Sequence, residues 1–379
     1  MGTHLRTTNV APRPRDSYRL HRSLSPFNLS SSRLYRDRIA SVTRAADWKF
    51  GAEQFEKLLS DKVVVHCSNR NMYKLTLDGI DVMGERLAQE IIEETNKRPQ
   101  IKRISFVAHS VGGLVARYAI GRLYRPPKQT SQISPNLNNT NRGTIHGLEA
   151  VNFITVASPH LGSRGNRQVP FLFGFTVIET FASYIIHLIF GKTGKHLFLT
   201  DNDDGKPPLL LRMVDDWGDA QFMSALQVFK RRVAYSNVGH DHIVGWRTSS
   251  IRRNSELPKW TDSASKIYPH IVYEELSKAE TLNLCTDVAD MDSCMLEERL
   301  LRGLKRVSWE KVDVSFHNSK VRSAAHSVIQ VSISLAVEAL LFYMLCTNVV
   351  RHYLLIVFFQ LCSQFLFVDL VLRLNHANE

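Results

Sequence analysis

A serine between small residues at the end of an apolar run carries the most chemical content in this sequence: Ile104-Ser105-Phe106-Val107-Ala108-His109-Ser110-Val111-Gly112-Gly113. A β-branched and aromatic stretch that breaks directly into a glycine-rich helix start is the pattern of a nucleophile elbow, a strand-turn-helix corner that lifts one hydroxyl above a sheet. Backbones pass close at such a corner, so the positions two before and two after the serine must be small. Here they are Ala108 and Gly112, with Ala standing where Gly is usual. The corner would expose Ser110 Oγ and bring the Val111 amide and the helix N-terminus to a developing oxyanion. Gly112 and Gly113 give the room. His109, beside the nucleophile, is expected to brace the elbow through hydrogen bonds rather than to act as a base.

A hydroxyl is a weak nucleophile until a base takes its proton and a carboxylate orients that base. For this corner the partners follow in the order Ser, Asp, His. Arg232 to Val238 reads as a strand and runs into Gly239-His240-Asp241-His242-Ile243-Val244. Asp241 thus falls on a loop at a strand's carboxyl end, where sites form in α/β sheets; the plainer alternative is an aspartate that only forms a turn. Further on, His317 follows a strand closely, and His326 stands in Ala324-Ala325-His326-Ser327. Small residues before His326 permit close packing, but spacing leaves His317 open as the base. Acyl transfer by these groups needs neither metal nor nucleotide, so no cofactor is expected.

The elements that must hold these groups alternate. Helical spacing of Phe50, Phe55, Leu58 and Leu59 precedes a β-branched run at Lys62 to His66. Asp78 to Lys97 is an amphipathic helix with Ile80, Met83, Leu87, Ile91 and Ile92 on one face. A strand at Arg103 to Ala108, a helix at Val111 to Tyr124, a loop at Pro126 to Gly143 and strands at Val151 to Ala157, Arg232 to Val238 and Lys311 to Phe316 follow, the last being read as the end of the sheet. Strand and helix in alternation imply an α/β protein with a mostly parallel sheet. Val169 to Phe190 is apolar but interrupted by Pro170, Gly174 and Glu179, which suits a helical cap over an apolar site better than a membrane span.

Composition narrows the classes. The 379 residues carry 48 Lys+Arg against 36 Asp+Glu, a net charge of +12. Residues 1–46 hold nine Arg, two Asp and no Lys or Glu, so +7 of that charge sits in a short leader and a basic nucleic-acid-binding domain is a poor reading. The leader is acid-poor and rich in Ser and Thr, like a plastid or mitochondrial transit segment; the alternative is a disordered basic N-terminus that carries no address. Five scattered cysteines, with no C-x-x-C pair, fit neither a disulfide framework nor a zinc site. After Val331 come two apolar runs, Ser332 to Val350 and Tyr353 to Leu372, parted only by Arg351 and His352. At most one could span a bilayer, and Asp369 near its run's end makes Tyr353 to Leu372 the better candidate; the alternative is a tail that packs on the domain or does not fold.

Val65-His66-Cys67-Ser68-Asn69-Arg70-Asn71, Leu77-Asp78-Gly79-Ile80-Asp81, the elbow, Ala157-Ser158-Pro159-His160-Leu161-Gly162 and Asp241-His242-Ile243-Val244-Gly245-Trp246-Arg247-Thr248-Ser249 together resemble the putative serine esterase family. That family is a lipase-like branch of the α/β-hydrolases, with plant members especially similar and fungal relatives that act on glycerolipids. The resemblance covers about residues 47–331. It implies an α/β-hydrolase fold with helices on both faces, a lid-like insertion at Val169 to Leu199, a lipid acyl ester as substrate, and Ser110, Asp241 and His326 as a triad, the base lying in an Ala-His segment that matches Ala325-His326.

Two departures accompany it. Family members begin with a strand ending in His-Gly, whose loop supplies a second oxyanion amide; Ile39 to Ala46 holds neither His-Gly nor a strand pattern. The tail after Val331 is also unlike the family's. The expectation is therefore a leader at 1–46, an α/β-hydrolase domain at 47–331 lacking the family's first strand, and an apolar tail at 332–379. The function expected is a serine-dependent hydrolase of a lipophilic ester, touching a lipid surface through lid or tail. The rival is an impaired homologue serving as a lipid-binding or protein-binding module; a membrane-anchored scaffold is a third reading, resting on the tail alone.

Overall fold

The structure is a computed structural model that describes residues 49–59, 63–127, 142–163, 191–202, 205–241, 243–259, 270–280, 293–317, 322, 325–326 and 367–374. The leader, most of the lid-like insertion and the first part of the tail lie outside these residues.

Seven strands form one sheet: β1 (Val63–Cys67), β2 (Ile101–His109), β3 (Glu149–Val156), β4 (Arg231–Asn237), β5 (Ile271–Ser277), β6 (Trp309–Val314) and β7 (Phe367–Leu374). Their order across the sheet is β1-β7-β2-β3-β4-β6-β5. β2, β3, β4 and β6 run parallel to their neighbours in that row, while β5 is antiparallel at one edge and β7 is antiparallel to both β1 and β2. Helices α1 (Lys49–Leu59), α2 (Ile80–Asn96) and α3 (Gly112–Leu123) flank the sheet, with α4 at residues 191–198 and α5 at Ser293–Leu304.

Strand side chains alternate between faces, and the core divides accordingly. Phe106, Ala108, Phe153 and Ala234 face α2 and α3 in one cluster with Ile80, Met83, Leu87, Leu114 and Trp309. Val107, Ile154, Val156, Val233, Tyr235, Val312 and Val314 build the opposite cluster, against which Phe55 and Leu59 of α1 pack. Both faces are covered, so the central strands carry apolar residues on both sides rather than in strict alternation. The fold is the α/β architecture expected, with helices on both faces.

Two readings of the sheet change. Lys311 to Phe316 does not end the sheet, because β7 follows it. β5 escaped notice because it is a partly exposed edge strand carrying Glu274 and Glu275, and so lacks an apolar run. Within the tail, Phe367–Leu374 pairs in the sheet, so the last residues of the apolar run Tyr353 to Leu372 are strand rather than helix. Among the described residues no helix is long and apolar enough to cross a membrane.

Candidate active site

Ser110 occupies the turn between β2 and α3 at φ 52°, a left-handed conformation that costs a side-chain-bearing residue energy and is held by its surroundings. The Ser110 amide donates to Val156 O at 2.9 Å, and Ser110 O accepts from the Gly113 amide at 3.1 Å. Val111 stands at the helix N-cap, its carbonyl accepting from the amides of Leu114 at 2.9 Å and Val115 at 3.1 Å, beside the first turn, where helical N–H groups have no partner within the helix. The tight approach lies at Gly113: a Cβ there would stand 2.2 Å from Ser158 Oγ and 2.8 Å from Ser158 Cβ.

The carboxyl end of β4 delivers Asp241, which is buried. Its Oδ2 accepts from Asn237 Nδ2 at 2.8 Å, and its Oδ1 accepts from the amides of Ile243 at 3.0 Å and Val244 at 2.8 Å. Burial alone would raise the carboxyl's pKa; the His326 charge and hydrogen bond, with the Val244 and Asn237 donors, outweigh it and hold the group below the ordinary carboxylate value. The segment after Asp241 is anchored to β6, since Trp246 Nε1 donates to Asp313 Oδ1 at 2.8 Å and Arg252 pairs with the same buried carboxylate at 2.8 Å.

His326 joins these two groups. Its Nε2 lies 3.1 Å from Ser110 Oγ and its Nδ1 2.9 Å from Asp241 Oδ2. The three side chains, far apart in sequence, therefore form one hydrogen-bonded row, in which the hydroxyl donates to Nε2 and Nδ1–H donates to the carboxylate. His317 does not enter it: its ring stands against His240, with nitrogens 3.4 Å apart. His109 is fully buried, and its ring packs against His326 at 4.8 Å between centroids. This ring contact sets His109 against the base from the residue next to the nucleophile. Burial and the neighbouring His326 drive its pKa well below the ordinary imidazole value and keep it neutral.

Other motif residues serve the frame. Glu90, buried on α2, accepts from His66 Nε2 at 3.0 Å and Ser68 Oγ at 2.6 Å and fixes the loop after β1. The first amides of α2 are capped from α4, Gly79 N donating to Thr193 Oγ1 at 3.1 Å and Ile80 N to His196 Nδ1 at 3.0 Å. Thr248 ties the Ser158–Gly162 turn to the segment after Asp241, its Oγ1 accepting from Leu161 N and donating to Gly162 O, both at 2.9 Å. Asn237 and the Ile243 and Val244 amides were not foreseen; the one signal for Asn237 is a buried polar residue at the strand's end, four positions before Asp241.

Among the described residues no cluster of side chains could hold a metal ion. The profile of the putative serine esterase family matches residues 39–251, a stretch that includes Ser110 and Asp241. The chain is 30% identical over 205 residues to the putative lipase C4A8.10 of Schizosaccharomyces pombe, covering 52% of this chain and 23% of that protein. It is 33% identical over 180 residues to the putative lipase ROG1 of Saccharomyces cerevisiae, covering 46% and 22% respectively. A second Saccharomyces cerevisiae protein, the putative lipase YDL109C, is 31% identical over 177 residues, covering 46% and 23%. The chain thus spans less than a quarter of the length of these curated relatives. No solved structure matches it.

Proposed function

This chain belongs to the putative serine esterase family, and from that premise we propose that it is a lipase-like, serine-dependent carboxylic ester hydrolase. Ser110 Oγ attacks the acyl carbonyl while His326 Nε2 takes its proton, and Asp241 holds the ring in the tautomer that leaves Nε2 free to accept. The Val111 amide, at the positive end of α3, stabilises the oxyanion. Collapse of the tetrahedral adduct breaks the ester C–O bond, and His326 Nε2–H returns the proton to the leaving alcohol. Water, deprotonated by the same nitrogen, then cleaves the acyl-enzyme and regenerates the hydroxyl.

The observation that carries this reading is the hydrogen-bonded row Ser110–His326–Asp241, with 3.1 and 2.9 Å links. A lipid acyl ester is the substrate class, on the strength of the lipase names its relatives bear. Hydrolysis of p-nitrophenyl esters by the purified protein tests it, beside Ser110→Ala; activity in the first and none in the second is the expected result, and equal rates sink the proposal.

A second reading has its own support. The sequence before Asp47 lacks the His-Gly motif from which the family draws a second oxyanion amide, and loss of one such donor costs about 100- to 1000-fold in turnover. An impaired homologue that binds lipid or protein would then bind a lipophilic ester without turnover faster than its Ser110→Ala variant.

A further inference from the structure

β7 stands apart from the rest of the sheet. β1 and β2 both run antiparallel to it, hence parallel to each other, and they are joined through α2 yet never pair directly. Between them lies a slot one strand wide. Phe367–Leu374 fills it, Phe367 opposite His109, Asp369 between Cys67 and Val107, Leu372 between Val64 and Ile104. A reversed strand inside a parallel neighbourhood is unusual, since such strands normally sit at an edge. It also comes last in chain order, after His326, and reaches the slot by way of residues 327–366, whereas β1 and β2 are coupled through a packed helix.

Without an occupant, β2 would present unpaired N–H and C=O groups in the middle of the fold, where it is buried from Ile104 to His109, and each orphaned group would be costly. Backbone ladders of this kind recognise any extended segment of suitable length, as in strand addition. The upper end of the slot is not remote from the site. Phe367 pairs with His109, which precedes Ser110 and lies with its ring on His326.

We propose that the slot between β1 and β2 is a strand-binding site whose occupant is the chain's own Phe367–Leu374, held as a separable ligand in cis, and that its occupancy supports the Ser110 elbow. The strand is expected to open as a unit while β3 and β4 stay closed.

The test uses the full chain with a protease recognition sequence inserted between Val350 and Arg351. After cleavage, the C-terminal fragment should co-elute with the body, and a fluorescent synthetic peptide of residues 365–376 should exchange into it over hours. The same peptide carrying Leu370→Pro should not, because it lacks a ladder donor. Removal of the cleaved fragment in mild urea, followed by return to buffer with an excess of the proline peptide, should leave fluorophosphonate labelling of Ser110 about 100-fold slower than the same return with the unaltered peptide, the penalty of a misplaced reacting group. Labelling rests on the hydrolase reading; retention and exchange do not. Separation of the fragment with unchanged melting temperature would show that the slot needs no strand and would overturn the proposal. So would a retained fragment that never exchanges. Should cleavage aggregate the body, hydrogen exchange on the intact chain decides: amides of residues 367–374 should exchange together at least about tenfold faster than those of β3 and β4, and equal rates reject a separable strand.

Discussion

Asp241→Asn probes the chemistry with the least change of shape. Four donors converge on the carboxylate: His326 Nδ1 and Asn237 Nδ2 on Oδ2 at 2.9 and 2.8 Å, and the amides of Ile243 and Val244 on Oδ1 at 3.0 and 2.8 Å. An asparagine offers one oxygen. If that oxygen serves the two backbone amides, which cannot turn, its NH2 takes the place of Oδ2 and confronts two further donors. Asn237 can present its own oxygen by flipping its amide. His326 can adapt only by giving up the Nδ1 proton and carrying it on Nε2, and Nε2–H then points at Ser110 Oγ with no lone pair to receive a proton. The expected loss is about 10⁴-fold in kcat with KM nearly constant, the effect of holding a catalytic histidine in the wrong tautomer. Imperfect satisfaction of the buried donors adds about 1–3 kcal/mol of destabilisation, seen in urea unfolding. The assay is p-nitrophenyl butyrate hydrolysis together with fluorophosphonate labelling, run beside wild type and Ser110→Ala. An Asp241→Asn rate within about tenfold of wild type, with Ser110→Ala inactive, would refute the assignment of Asp241 as the group that orients the base.

Three other outcomes are expected. Ser110→Gly should be more stable than Ser110→Ala by about 1 kcal/mol, reversing the usual order, because both lose the hydroxyl but only alanine keeps a Cβ at φ 52°; paired urea melts give the sign, and an Ala-over-Gly order contradicts the strain. Gly113→Ala should cost about 1–3 kcal/mol through overpacking against Ser158, and adding Ser158→Gly should recover part of it; full additivity in that double mutant would mean the two sites are uncoupled. His109 and His160 are both fully buried with pKa values driven well below the ordinary value by burial first, and second by the neighbouring His326 and Arg117 respectively. Below about pH 6.5 the unfolded chain binds protons that these folded rings refuse, so stability should fall with falling pH by about 1.4 kcal/mol per unit for each ring; a melting temperature that stays flat from pH 7 to 5 would contradict that.

What could be read from the sequence was set by how each element is covered. β2, β3 and β4 are legible because both of their faces are buried, and short apolar stretches that serve both faces mark such strands to within two residues. β5 is illegible because one edge and much of one face meet solvent, so Tyr273-Glu274-Glu275 carries no apolar signature. β7 failed for the opposite reason: an apolar run with one acid serves a membrane helix and a central strand equally, and periodicity cannot separate them without the partner strands. The elbow was legible because its small residues answer a local steric demand. Choosing between His317 and His326 was not local, since both follow β6 and only the path of the chain after Phe316 decides which ring turns back over β2. Asn237 and the stacking of His109 on His326 exist only in space.

The motifs that carry the family resemblance divide unevenly between frame and chemistry. Glu90 with His66 and Ser68, the α2 amides with Thr193 and His196, and Thr248 with the Ser158–Gly162 turn all fix loops at the carboxyl ends of strands. The match to the family stops at residue 251, before His326. The matched stretch therefore holds the scaffold around Ser110 and Asp241, while the candidate base lies beyond it, in the Ala325-His326 segment. A chain could keep every framework contact and still be inert if residue 326 were displaced, which is why the tautomer experiment on Asp241, rather than any further comparison, bears directly on whether this scaffold turns over an ester.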